Sequence, residues 1–277
     1  VTGGAATYWQ MMQPKVTDYR QIIWRWGLPQ GLGSIDAETR SHLETHYSVT
    51  MRRAGLFESP RVVEVRRENS SGSLRADTDG HAHWLIHYGA GKFTAVSESF
   101  DANGRPARET HLERGSSANT LVESYKRDTA DLAQAVRITI GEQGFNVRTD
   151  ITRTELTLDD RGFAIRSRYQ NHYGDPQHNA SGSYGWNVTY SSDGLMLRRA
   201  EVGVDGNEIT LKNGIRETAY LYDSYNMRSQ TWIGADNRPL DGPDGYAQQL
   251  LEYDRWGNLI ARQYFGADGI PVSIKPG

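Results

Sequence analysis

The chain has 277 residues, no cysteine, and 31 basic against 34 acidic residues, for a formal net charge of −3. A charge so nearly balanced gives no basic surface, which argues against nucleic acid as a partner. Without cysteine there can be no disulfide, thiolate zinc site or cysteine nucleophile. No apolar run reaches the roughly eighteen residues of a spanning helix, so we expect no membrane insertion by this sequence.

Residues 1–46 are predicted to be a tail followed by a helical cap. Val1–Thr7 is small and glycine-rich, as in a processed product, and a signal sequence or membrane anchor is a candidate for what precedes it. Asp36, or Ser34 before it, can cap a helix that reaches His46. Two helices here would cover the open edge of a following sheet. The apolar residues whose helical spacing predicts the first helix are Tyr19, Ile22, Ile23 and Trp26.

From residue 47 onward one short sequence motif recurs with a period of about 32 residues, most clearly as ADNRP at 235–239 and ADGIP at 267–271. A fixed period of this length is typical of a repeat array, in which each unit buries apolar surface against its neighbours. No linker interrupts it, so residues 47–277 are predicted to be one continuous domain. The loop residues that recur at about this spacing are Gly72, Gly104, Gly144, Gly174, Gly206, Asn237 and Gly269.

Each unit is interpreted as a β-hairpin with a short return segment. Glycine, asparagine and aspartate close tight turns, and the flanking residues alternate, with Leu195 and Leu197 against Met196 and Arg198. We therefore predict a mainly β fold: an elongated antiparallel array of about seven hairpins, as a solenoid or a twisted sheet. A seven-fold propeller-like ring is the alternative, although 32 residues are few for a four-stranded blade.

Two kinds of motif are candidate metal sites, and catalytic motifs bear on whether the protein is an enzyme. His81 and His83 would share a face of a strand and, with His87, could hold zinc or nickel, but no carboxylate partner is evident. Aspartate-rich loops such as 77–80 lack the spacing of a calcium loop and are interpreted as turns, with a calcium ion between repeats as the alternative. No catalytic motif occurs, so we predict no metal, no cofactor and no enzyme. An enzyme would have to use the irregular residues 105–150 with these histidines.

Aromatic residues are the candidates for ligand binding. Trp256 and Tyr225 occupy equivalent tips of one loop, and Trp232 and Tyr264 are equivalent on the strand that follows it. Aromatics repeated once per unit would form a stacking surface for sugar rings or peptide side chains. The competing interpretation places Trp232 and Tyr264 in the core between repeats.

Residues 252–260, EYDRWGNLI, resemble the YD repeat of bacterial Rhs-type surface proteins, where Y-D-x-x-G-x-L opens each hairpin. The resemblance covers about the last 120 residues, with a longer period and without the shell-closing and protease segments of Rhs toxins. The chain is more similar to the hairpin-repeat modules beside signalling domains in bacterial membrane proteins. That resemblance implies an extracytoplasmic module, with a cytoplasmic location as the alternative.

On these grounds we predict a non-catalytic binding or sensing module, part of a larger bacterial membrane or signalling protein. Its partner would be a peptide, a glycan or a protein. The alternative is a structural or toxin-associated scaffold that holds no small ligand.

Overall fold

A computed structural model describes residues 12–55, 58–89, 93–128 and 151–274, and their regular secondary structure is almost entirely β-strand. The described residues form two compact units. The first contains residues up to 113 together with 125–128, and the second contains residues 114–124 together with 151–274.

The first unit begins with a hairpin, followed by a helix and further strands. Its elements are β1 (Lys15–Arg25), β2 (Leu28–Ser34), α1 (Ala37–His42), β3 (His46–Arg52), β4 (Arg61–Glu68), β5 (His83–Tyr88), β6 (Phe93–Phe100) and β7 (Pro106–Arg114). Its core lies where inward-facing residues of neighbouring strands meet, as at the pair Val49 and Val65, each 1% exposed.

The second unit continues the hairpin pattern, with β8 crossing the boundary between the units. Its elements are β8 (Thr120–Asp128), β9 (Arg153–Leu158), β10 (Ala164–Gln170), β11 (Trp186–Tyr190), β12 (Met196–Glu201), β13 (Ile215–Asp223), β14 (Asn226–Gly234), β15 (Gln248–Tyr253) and β16 (Leu259–Phe265). Val188, Ala200 and Leu251 are among its buried core residues.

Hydrogen bonds join the sixteen described strands into one antiparallel sheet, in the order β16 to β3 by sequence, then β1 and β2. The predicted antiparallel hairpin array is therefore confirmed. The propeller-like ring is wrong, because blades would divide the strands among separate sheets. Across the described residues, no helix has the length and apolar character that crossing a membrane requires.

The predicted first helix is wrong, because the segment forms the strand β1. Trp26 and Gly27, with φ of 54° and 70°, make a two-residue turn between Arg25 and Leu28, and the β-branched and aromatic residues before it suit a strand. The second predicted helix forms as the six-residue α1, but it ends at His42 rather than near His46, which begins β3; Asp36 Oδ1 accepts a hydrogen bond from the Thr39 N–H at 2.8 Å. Within residues 13–46, the expected helical cap is thus reduced to this short helix.

A single five-residue loop recurs throughout the sheet. In the loop at 171–175, the Asn171 N–H donates to the Asp175 carbonyl at 2.9 Å, and the Gly174 N–H donates back to the Asn171 carbonyl at 3.1 Å. Gly174 has φ of 90°, which glycine adopts at little cost. The same two bonds close the loops that start at Asn69, Asp77, Asp101, Asp159, Asn179, Ser191, Gly203, Leu211, Gly234, Gly242, Asp254 and Gly266.

Four of these loops were not predicted as part of the repeat. They start at Asp77, Asn179, Leu211 and Gly242, each eight residues after the start of the preceding loop. Four of the described returns between hairpins therefore hold two loops in succession, whereas the return at 101–105 holds one. In the first, Asp77 Oδ1 accepts hydrogen bonds from the backbone N–H groups of Asp79 and His81, which confirms the interpretation of residues 77–80 as a turn.

Candidate functional site

The four predicted ligand-binding aromatics lie at two opposite ends of their strands. Tyr225 and Trp256 are in the turns that precede β14 and β16, whereas Trp232 and Tyr264 are near the far ends of those strands. Trp232 is seven positions after Tyr225 along the chain, which corresponds to roughly 23 Å at the rise of a β-strand. The four side chains therefore do not form one continuous row.

Trp232 and Tyr264 are brought together by a third aromatic residue, Tyr246. The Tyr246 ring centroid is 4.6 Å from that of Trp232 and 4.7 Å from that of Tyr264. Gly242 packs so closely on Trp232 that a Cβ there would lie 2.1 Å from the indole. Tyr246 is 9% exposed, and burial raises the pKa of its phenol. This packing supports the core interpretation of Trp232 and Tyr264, and their role in ligand binding stays a prediction.

Trp256 and Tyr225 are both half-buried in their turns. The guanidinium carbon of Arg255 lies 4.6 Å from the Trp256 ring centroid, a cation–π contact. The Trp256 N–H donates to Asp254 Oδ1 at 2.9 Å, so the backbone of this tip is fixed by the loop. Their binding role also stays a prediction.

The three histidines have separate surroundings. His81 is buried just before β5, with its ring centroid 6.0 Å from that of Trp84, and His87 is exposed. His83 Nε2 lies 2.9 Å from Glu64 Oε1, a carboxylate partner that the sequence pattern did not reveal. Among the described residues, no group of three or more histidines or carboxylates is arranged to hold a metal ion.

The first unit contains a cleft of about 460 Å³ beside β2. Four consecutive residues of β2, Leu28–Gly31, line one side of it. Residues of β1, β3, β4 and β5, with Pro60, line the rest. The remaining lining residues are Tyr19, Val49, Met51, Pro60, Arg61, Val62 and Tyr88.

The strand β2 has one edge that no described strand pairs with. β2 ends the order of the described sheet, so its outer edge has no neighbouring strand. Arg25 and Leu28 flank a two-residue turn and form its hydrogen-bonded pair. Because bonded and non-bonded pairs alternate in an antiparallel ladder, Pro29 and Gly31 direct their backbone groups outward. Pro29 has no N–H to offer and is fully buried, so the N–H and carbonyl of the half-buried Gly31 are the backbone groups that this part of the edge can present.

Two polar side chains face the cleft beside β2. The guanidinium carbon of Arg61 lies 5.3 Å from the Tyr88 ring centroid, and its Nη2 lies 3.3 Å from Glu58 Oε2. Burial raises the pKa of the Tyr88 phenol, with Arg61 opposing that shift. The phenol is therefore protonated at neutral pH and can donate a hydrogen bond.

The sequence interpretation missed this cleft because it placed residues 18–26 in a helix. One signal was available: in LPQGLGS at 28–34, Pro29, Gly31 and Gly33 alternate with other residues. Proline and glycine are characteristic of edge strands, where a missing ladder bond is tolerated.

A smaller groove of about 240 Å³ in the second unit includes Trp232. Arg199 and Glu201 also line it, and Arg199 Nε lies 2.8 Å from Glu201 Oε1. Arg216 and Glu217 line it as well, 3.1 Å apart, so the charged residues of this groove form two pairs of opposite sign.

No protein-family model matches the chain, and no curated protein sequence matches it significantly.

Proposed function

We propose that the protein is a non-catalytic recognition module that binds an extended peptide along the free edge of β2. The observation that carries this proposal is that four consecutive residues of an edge strand line a cleft of about 460 Å³. A peptide added as a further strand obtains affinity from backbone hydrogen bonds and specificity from side-chain pockets. The cleft is large enough for this purpose, because binding pockets typically measure about 300–1,000 Å³.

The chemistry of the cleft supports a peptide over a sugar. Its walls combine the apolar side chains of Val49, Met51 and Val62 with polar groups, as a peptide strand with backbone and side chains requires. A strand places every second side chain on the same side, so one residue of a bound peptide would enter the cleft while its neighbours point away. A glycan has no means of continuing the backbone ladder at Gly31.

We further propose that the module is related to YD-like hairpin repeat proteins and serves as the extracytoplasmic part of a larger bacterial protein. The repeated hairpins with Asp- and Asn-started loops support that relationship. Protease added to cells whose outer envelope has been removed tests the location, periplasmic or cell-surface: cleavage of the native protein supports exposure outside the cytoplasm, and survival until the cytoplasmic membrane is lysed contradicts it.

The peptide proposal is tested by selection from a library of random peptides displayed as N-terminal fusions on phage. Amide hydrogen exchange of the protein is then measured by NMR with and without an enriched peptide. We expect exchange at the outward-facing N–H of Gly31 to slow on binding. Gln30 and Leu32 are internal controls, because their N–H groups face β1 and are already bonded.

Two outcomes contradict the proposal. In one, no peptide is enriched over an empty support, which favours a structural scaffold. In the other, enriched peptides leave exchange at Gly31 unchanged, which places binding elsewhere.

A further inference from the structure

We infer that the peptide bound beside β2 carries an acidic side chain, which forms an ion pair with Arg61 in the cleft. When no peptide is bound, Glu58 is the ion-pair partner of Arg61. This inference rests on the proposed peptide-binding function and specifies its ligand.

The charge of the cleft favours an anionic group. Among the described residues that line it, Arg61 alone is charged, and no carboxylate is among them. A guanidinium binds a carboxylate through two parallel hydrogen bonds, stronger than bonds between neutral groups. A peptide with a glutamate or aspartate side chain directed into the cleft supplies such a carboxylate.

The strand pairing adds to this preference. Arg61 begins β4 directly opposite Arg52 at the end of β3. Side chains opposite one another in a ladder share a face of the sheet, and like charges there repel. A carboxylate bound at Arg61 would reduce that repulsion.

The position of Arg61 is partly fixed in advance. Its backbone is held in the ladder with β3, and its guanidinium lies over the Tyr88 ring. This cation–π contact limits the conformations of a long side chain, so less entropy is lost when a ligand binds. The protonated phenol of Tyr88 is a second donor in the same cleft.

Glu58 is an exchangeable partner. The Arg61 and Glu58 side chains are each 50% exposed, and their closest atoms are 3.3 Å apart. Exposed ion pairs contribute little to stability. A ligand carboxylate that also gains backbone bonds along β2 can therefore displace Glu58 from Arg61.

The test compares peptides selected on the unmodified protein with those selected on Arg61→Gln, from the phage library described above. The displayed peptides have no free C-terminal carboxylate, so any acidic preference comes from a side chain. We expect a fixed acidic position in the consensus for the unmodified protein and none for Arg61→Gln. Arg75→Gln, which removes an exposed arginine outside the cleft, controls for net charge and should keep the acidic position.

The synthetic consensus peptide and its glutamine or asparagine counterpart then give the size of the effect. We expect the acidic peptide to bind about tenfold more tightly, consistent with a hydrogen bond to a charged group. Glu58→Gln should tighten binding of the acidic peptide and leave the neutral one unchanged.

A consensus without an acidic position, or an acidic position that persists on Arg61→Gln, overturns the inference while the peptide proposal stands. If the peptide proposal itself fails, the result is different: no enriched peptide would then slow amide exchange at Gly31.

Discussion

The ring of Tyr19 packs on Gly31 so closely that a Cβ at residue 31 would lie 2.2 Å from the ring Cδ2. Tyr19 is on β1 and Gly31 on the adjacent β2, and both line the cleft. The aromatic side chain thus covers a glycine that has no side chain of its own to pack.

We expect Gly31→Ala to destabilise the protein by about 1–3 kcal/mol, the usual range for overpacking. Urea denaturation of Gly31→Ala, Tyr19→Ala and the double variant measures the coupling. The double variant should be more stable than the sum of the two losses implies, since removing the ring removes the clash. Strictly additive losses would show that the ring does not limit residue 31.

A tryptophan occupies a strained position at the tip of the first hairpin. Trp26 has φ of 54°, a region in which a bulky side chain is an outlier, and it is 45% exposed. Trp26→Asn should stabilise the fold by about 1 kcal/mol, because asparagine tolerates this conformation better. Thermal unfolding is the measurement. Trp24→Asn is the matched control: Trp24 is 47% exposed but lies in the strand β1, so this change should not stabilise.

The sequence predicts the repeated loops better than it predicts the β1–β2 hairpin, for a physical reason. Loops such as 171–175 and 254–258 are closed by Asn or Asp and by a positive-φ glycine, so local chemistry alone determines them. The apolar spacing at Tyr19, Ile22, Ile23 and Trp26 is compatible with a helix as well as a strand. What decides for the strand is pairing with β3 and with β2, which is not local information.

The candidate site is harder to predict than the fold for the same reason. The cleft forms between residues far apart in sequence, such as Gly31 and Tyr88, and no motif joins them. Tyr246 lies in the second loop of a return, a position that the repeated loop residues of the sequence do not mark. The candidates Trp232 and Tyr264 were found because each recurs at the same repeat position.

Asparagine at residue 171 has a specific partner that distinguishes it from asparagine at 179. Asn171 is 2% exposed; its Oδ1 accepts hydrogen bonds from the backbone, and its Nδ2 donates to Asp175 Oδ2 at 3.0 Å. Asn171→Asp would set two carboxylates together, so we expect a loss of about 1–3 kcal/mol in the free energy of unfolding at pH 7.

Asn179→Asp is the matched control for that change. Asn179 Oδ1 accepts hydrogen bonds from the backbone N–H groups of Ser181 and Ser183. In the equivalent loop at 77–81, Asp77 Oδ1 accepts the corresponding bonds, so aspartate suits this position. Urea denaturation should therefore show little change for this variant. Equal losses in the two variants would mean that the Asp175 contact is unimportant.

The aromatic stack of the second unit should depend on Tyr246. Tyr246→Ala removes the ring between Trp232 and Tyr264 and should lower the free energy of unfolding by about 3 kcal/mol or more, as for other large buried aromatics. Tyr173→Ala is the control, because Tyr173 is 63% exposed and surface changes are usually within about 0.5 kcal/mol. A small loss on Tyr246→Ala would instead leave Trp232 and Tyr264 free to act as a ligand surface.

A buried histidine should make the stability of the first unit sensitive to pH. His46 is 1% exposed at the start of β3, and its Nε2 lies 3.6 Å from Glu68 Oε1 and 3.8 Å from Asp18 Oδ1. Arg40 of α1 faces Asp18 at 3.6 Å, and Arg66 of β4 contacts Glu68 at 3.1 Å. Burial lowers the pKa of His46 despite the attraction of the two carboxylates.

The direction of the effect follows from proton linkage. A folded pKa below the unfolded value of 6.5 means that the unfolded chain binds the proton first as the pH falls. The stability contributed by neutral His46 is therefore present above about pH 6.5 and is lost progressively below it. Urea denaturation at several pH values between about 7.5 and 5 should show this loss, and His46→Gln should flatten the slope because glutamine does not titrate. An unchanged slope in His46→Gln would assign the pH dependence to other groups, whereas a flattened slope would show that the ring is held neutral between Asp18 and Glu68 by its burial.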